Sequence, residues 1–104
     1  MNNKLVNLDE LELIIAQAKN DDKVVIHAHG CFDLLHIGHL RYFQNCKKKG
    51  DLLVVTITPD QFINKGPGRP AFNENLRLEF LTQIAIIDYV SLNNQPDAVE
   101  LLKK

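Results

Sequence analysis

Two cysteines, Cys31 and Cys46, are all that the 104 residues contain, too few and too far apart for a disulfide framework or a CxxC metal knuckle. A reducing cytoplasm is the setting this implies, with no metal centre built from protein side chains. Charge of one sign is lacking as well, since 12 Lys and Arg stand against 13 Asp and Glu for a net charge of −1. That balance excludes bulk attraction to nucleic acid or anionic lipid, so any anion has to be held locally. No stretch approaches the ~20 apolar residues that span a bilayer, and Met1-Asn2-Asn3-Lys4-Leu5 lacks the apolar run of a signal peptide. The expectation is a soluble cytoplasmic protein with no nucleic acid and no membrane partner. What is present, 45% hydrophobic and 24% charged residues, suits one ordinary domain over residues 1–104.

The hydrophobic pattern alternates between helix and strand. Leu11, Ile14, Ile15 and Ala18 recur at helical spacing, and Asp9 with Glu12 three residues later predicts a helix over roughly 9 to 19, stopped by Asn20-Asp21-Asp22. Lys23 to His29 is a β-branched run ended by Gly30, which predicts a strand buried on both faces of a parallel sheet. Ile37, Leu40, Phe43 and Cys46 predict a helix from 37 to 49, with Lys47-Lys48-Lys49 complementing its dipole and Gly50 as the stop. Asp51 to Thr58 is a second strand closed by Pro59, so the three elements form a βαβ unit. Residues 59–72, rich in Pro and Gly, read as a long loop. Asn73 then caps a helix to about Ile86 with Leu76, Phe80 and Ile84 on one face. Asp88 to Leu92 is a third strand, and Asp97 caps a last helix to Lys104. The fold class is α/β, a three-stranded parallel sheet with helices on both faces.

Chemistry concentrates where the first strand becomes the next helix, in Gly30-Cys31-Phe32-Asp33-Leu34-Leu35-His36-Ile37-Gly38-His39. Ligands of open α/β sheets bind at the carboxyl ends of strands, and a helix N-terminus offers unpaired N–H groups and about half a positive charge. His36 and His39, three apart on the first turn, project into the same crevice, while Gly38 lets a phosphate or ribose approach the backbone. Asp33 reads as a turn-forming residue, Cys31 as a small turn residue rather than a nucleophile, and His27 and His29 as structural strand histidines.

This run resembles the signature of the cytidylyltransferase-like nucleotidyltransferases, Gly-x-Phe-Asp-x-x-His-x-Gly-His, at every defining position. The likeness continues through Gly50-Asp51-Leu52-Leu53-Val54-Val55, Arg77 and Ile87-Asp88-Tyr89-Val90. The loop Lys65-Gly66-Pro67-Gly68-Arg69-Pro70 most resembles adenylyltransferase domains that make ADP-heptose. His-Ile-Gly-His is also a signature of class I aminoacyl-tRNA synthetases, but the chain has neither their Lys-Met-Ser-Lys-Ser-like loop nor an anticodon-binding region. The resemblance implies a Rossmann-like fold and transfer of AMP or CMP from ATP or CTP to a small phosphorylated substrate, with release of pyrophosphate. It implies His36, His39 and Lys65 as catalytic residues, and Gly30, Cys31, Phe32, Asp33, Gly38 and Arg77 around the nucleotide. Mg2+ is expected to arrive with the nucleotide, held by phosphates and water. A homodimer accords with the family's habit.

Two departures accompany the likeness. Ala85 stands where the family often has arginine, and no counterpart of the family's late Ser/Thr-rich triphosphate motif occurs. The chain thus corresponds to the N-terminal part of the family domain, with its C-terminal strands missing. A non-catalytic nucleotide-binding module is the alternative to a transferase.

Overall fold

Asn7 starts the first helix, and the computed structural model, which describes residues 4–32, 35–59 and 73–93, shows how. The Asn7 Oδ1 accepts from the Glu10 N–H at 2.8 Å and the Glu10 carboxylate accepts from the Asn7 N–H at 3.1 Å, closing a capping box over α1 (Leu8–Asn20). The expected cap Asp9 instead lies in the first turn. Asn7 and Glu10 repeat the three-residue spacing of Asp9 and Glu12 and close the box two residues earlier, while Asp9 favours the positive end of the dipole. Asp22, with φ of 60°, takes the left-handed position after the helix, and the Lys23 N–H returns to the Ala18 carbonyl at 2.9 Å.

The strands are β1 (Val25–Gly30), β2 (Leu52–Ile57) and β3 (Tyr89–Leu92), paired in parallel in the order β1-β2-β3. Parallel neighbours require crossovers, supplied by α2 (Ile37–Lys47) between β1 and β2 and by α3 (Glu74–Thr82) between β2 and β3. A short segment before α1 extends the sheet beyond β3: Leu5 bridges Val90, whose N–H donates to the Lys4 carbonyl at 2.9 Å. The first strand starts two residues later than its hydrophobic run, because Lys23 and Val24 are taken up in leaving α1 and meeting the Asp51 turn.

β2 is buried on both faces, as its nearly continuous apolar sequence requires. Leu53, Val55 and Ile57 pack with Phe43 of α2 and with Leu78 and Leu81 of α3, whereas Val54 turns to Leu11 and Ile15 of α1. Helices therefore cover both faces, α1 on one and α2 with α3 on the other. This is the Rossmann-like layout.

α3 differs from its sequence pattern. It ends at Thr82 rather than near Ile86, and Leu76 and Phe80 are 50% and 55% exposed while Arg77, Leu78, Leu81 and Thr82 are buried. Turned this way, the helix buries Leu78 and Leu81 in the core and brings Arg77 to two backbone carbonyls that need donors. Ile37, first residue of α2, is likewise exposed, and α2 ends at Lys47. The predicted loop beyond Pro59 and the helix from Asp97 to Lys104 lie outside the described residues. No helix among the described residues is long and apolar enough to cross a membrane.

Asp88 ties the amino ends of two strands to the end of α2. Its Oδ2 accepts from the Leu53 N–H at 2.7 Å and from Lys47 Nζ at 2.6 Å, and Lys47 also reaches the Asp51 carbonyl at 3.1 Å. Asp88→Ala leaves that N–H without its acceptor and is expected to destabilise the chain by about 1–3 kcal/mol. Lys47→Met removes only a partly exposed ion pair and should cost about 1 kcal/mol or less. Urea unfolding of the two variants checks the contrast.

Candidate functional site

The turn after β1 is built around one ring. Phe32 adopts a left-handed φ of 48°, unusual for a residue with a Cβ, and is held there by burial of its side chain. Its ring meets Phe43 at 5.3 Å and His39 at 5.6 Å between centroids, both edge-on, and folds back over Gly30. A Cβ on Gly30 would lie 2.9 Å from that ring, so glycine here makes room for phenylalanine.

His36 and His39 cap α2 with each other's help. The His36 Nδ1 accepts from the Gly38 N–H at 3.0 Å, and the His39 Nδ1 accepts from the His36 N–H at 3.2 Å, a capping box made of two imidazoles. A nitrogen that accepts carries no hydrogen, so in their neutral forms both rings hold the proton on Nε2. The ring centroids are 4.2 Å apart. Burial, and then the neighbouring His36, lowers the pKa of His39 below the usual imidazole value. Gly38 serves this pair directly: a Cβ there would come within 2.7 Å of the His36 ring, so the space it leaves is filled by His36 before any ligand.

Arg77, 1% exposed, closes the floor of the crevice. Its Nη1 donates to the Cys31 carbonyl at 2.8 Å and to the Thr58 carbonyl at 2.7 Å, joining the carboxyl ends of β1 and β2. Beside it opens a cleft of about 450 Å³ lined by Phe32, Leu35, Leu76, Arg77 and Phe80, which accounts for the exposure of Leu76 and Phe80. Gly30, Cys31, Phe32, His36, Gly38, His39 and Arg77 thus gather at one sheet end, while Asp33 and Lys65 lie outside the described residues. Neither cysteine is in a disulfide.

Thr56 and Thr58 belong to no motif in the sequence, yet they join the site. Thr56 Oγ1 lies 2.7 Å from His27 Nε2 and 2.7 Å from His29 Nδ1, and Thr58 Oγ1 lies 3.4 Å from His29 Nε2. The available signal was polar residues at alternate positions on two adjacent strands, which share a face when the strands pair in register. Burial, and secondarily His29, pushes His27 down to about 4.

This architecture is that of a cytidylyltransferase-like protein, and the chain belongs to that family, whose model matches residues 27–104. Among individual relatives, it is similar to the bifunctional protein HldE of Geobacter sulfurreducens, 39% identical over 102 residues that cover 96% of this chain and 21% of that protein. HldE of Syntrophotalea carbinolica is 36% identical over 96 residues, 90% of this chain and 20% of the relative. The chain therefore spans about a fifth of the length of these curated relatives. Among solved structures, the lipopolysaccharide core biosynthesis protein of Thermoplasma volcanium GSS1 superposes with a TM-score of 0.66 at 31% identity, over 78% of this chain and 66% of that one.

Two outcomes follow from the geometry. Arg77→Met strands the Cys31 and Thr58 carbonyls and is expected to destabilise the protein by about 2–4 kcal/mol, with Arg77→Lys recovering less than half in urea unfolding. For His27, the folded value of about 4 lies below the unfolded value near 6.5, so the unfolded state takes up the extra proton between them. Stability from this residue is present above about pH 6.5 and is lost as pH falls toward 4. Urea midpoints at pH 7 and 4.5 should therefore diverge more in the wild type than in His27→Gln.

Proposed function

We propose that this chain forms the nucleotide-binding part of a nucleotidyltransferase that moves AMP or CMP from ATP or CTP to a sugar or polyol phosphate, releasing pyrophosphate. The observation that carries the reading is the imidazole capping box: two rings whose Nδ1 atoms accept from backbone N–H groups, which leaves the Nε2 of each as a donor at the N-terminus of α2. Such a set suits the oxygens of a triphosphate, where fixed N–H donors and a helix dipole stabilise charge that develops during transfer.

In the proposed reaction an oxygen of the acceptor phosphate attacks the α-phosphorus while the bond from that phosphorus to the pyrophosphate oxygen breaks. His36 and His39 hydrogen-bond the reacting phosphates and steady the five-coordinate arrangement. Gly30, Cys31 and Phe32 form the turn after β1 and Gly38 lies in the first turn of α2; Asp33 and Lys65 join them as nucleotide-binding and catalytic residues by the family resemblance. Arg77, already committed to two carbonyls, sets the shape of the crevice beneath the nucleotide. The donors of the described site are nitrogen-borne hydrogens, which fit phosphate oxygens rather than a hard cation. Mg2+ carried on the triphosphate would supply charge neutralisation there.

The likeness of Lys65-Gly66-Pro67-Gly68-Arg69-Pro70 to adenylyltransferase domains that make ADP-heptose favours ATP and a heptose-like phosphate as the pair to try first. Pyrophosphate release, measured with ATP and CTP against a panel of sugar and polyol phosphates, is expected for at least one pair. His36→Ala or His39→Ala should then lower turnover by roughly 100-fold or more. Absence of release with every pair, from folded protein, overturns catalysis by this chain. Nucleotide binding by calorimetry without release would identify a binding module instead.

A further inference from the structure

His29 has no part in the reaction above, yet it is fastened more elaborately than a strand residue needs. Its ring reaches Thr56 Oγ1 with one nitrogen and Thr58 Oγ1 with the other, so it spans two hydroxyls two residues apart on β2. Thr56 is fully buried, and its hydroxyl also meets His27. A hydroxyl has one hydrogen to give, so with both rings neutral Thr56 can donate to one of them and accept from the other. An aliphatic side chain would fill the same space without any of these directional bonds.

The bonds converge on Thr58, which is used in three directions. Its N–H donates to the Gly30 carbonyl at 3.0 Å, its carbonyl accepts from Arg77 on the α3 side, and its hydroxyl meets His29 on the α1 side. Gly30 and Cys31 follow His29 directly, and Arg77 holds the Cys31 carbonyl as well. The place where the chain leaves β1 is thus tied in the plane of the sheet and from both of its faces.

We propose that His29 is a positioning residue for the phosphate seat: through Thr56 and Thr58 it sets the path of the chain from β1 into the Cys31–Phe32 turn, and so the placement of His36 and His39. This rests on the nucleotide-binding reading above. The role is distinct from general stability, because the affected segment is the turn and not the core.

The test compares wild type with His29→Leu, which keeps bulk and loses both nitrogens, and His29→Asn, which keeps a short polar group facing Thr56. ATP and CTP affinity by calorimetry is read beside amide hydrogen exchange. His29→Leu is expected to weaken nucleotide binding roughly five- to tenfold and to speed exchange at residues 30–32 while leaving α1 amides unchanged, with His29→Asn recovering most of both. Should His29→Leu fail to fold, Thr58→Val removes one hydroxyl at the strand end and carries the same test. Unchanged exchange at residues 30–32, or faster exchange with undiminished affinity, overturns the positioning role. Wild-type protein that binds neither nucleotide overturns the nucleotide reading itself, which the variants cannot do.

Discussion

A guanidinium can be buried only where oxygen atoms wait for its hydrogens, and Arg77 finds them at the ends of two parallel strands. Strand ends in a parallel sheet present carbonyls with no further ladder partner. One planar cation between Cys31 and Thr58 satisfies both and fixes the distance between β1 and β2 where the chain turns toward α2. The orientation of α3, with Leu76 and Phe80 exposed beside the cleft at Phe32, goes with that placement and with the burial of Leu78 and Leu81. Had Leu76 and Phe80 turned inward, the carbonyls would have lost their donor and the crevice its floor.

The same economy of contacts governs the opposite end of the sheet. There Asp88 supplies an acceptor where β2 begins, and Lys47 brings the end of α2 to it. One charged residue at each end of the strands therefore sets the geometry, a cation among carbonyls and an anion among donors. The apolar interior between them needs only shape, and the alternation along β2 divides it between two layers.

Much of this was legible in the sequence because its signals were local. Short apolar runs marked the strands, Asn73 announced the start of α3, and the spacing of His36, Gly38 and His39 placed them together at a helix start. The misread positions depended on partners distant along the chain. Leu76 and Phe80 have helical periodicity, but the side that faces the sheet carries Leu78 and Leu81 together with Arg77, which meets carbonyls 46 and 19 residues away. Asp9 lost the cap to Asn7 because Asn7 and Glu10 repeat the spacing of Asp9 and Glu12 two residues earlier, and spacing alone does not choose between the two registers. Thr58 carries no motif at all. Its importance arises from three bonds, two to β1 and one to α3, which no spacing along one element can reveal.

The imidazole cap has a further meaning for selectivity. Because both Nδ1 atoms face the backbone and accept from it, the neutral rings turn hydrogens outward and keep their lone pairs inward. Such a surface distinguishes ligands by what they lack as well as by what they carry. A transition-metal ion seeking a nitrogen lone pair would first have to strip the cap from α2, whereas an oxyanion can dock without disturbing it. A cation at this helix start would compete with the backbone for the same lone pairs.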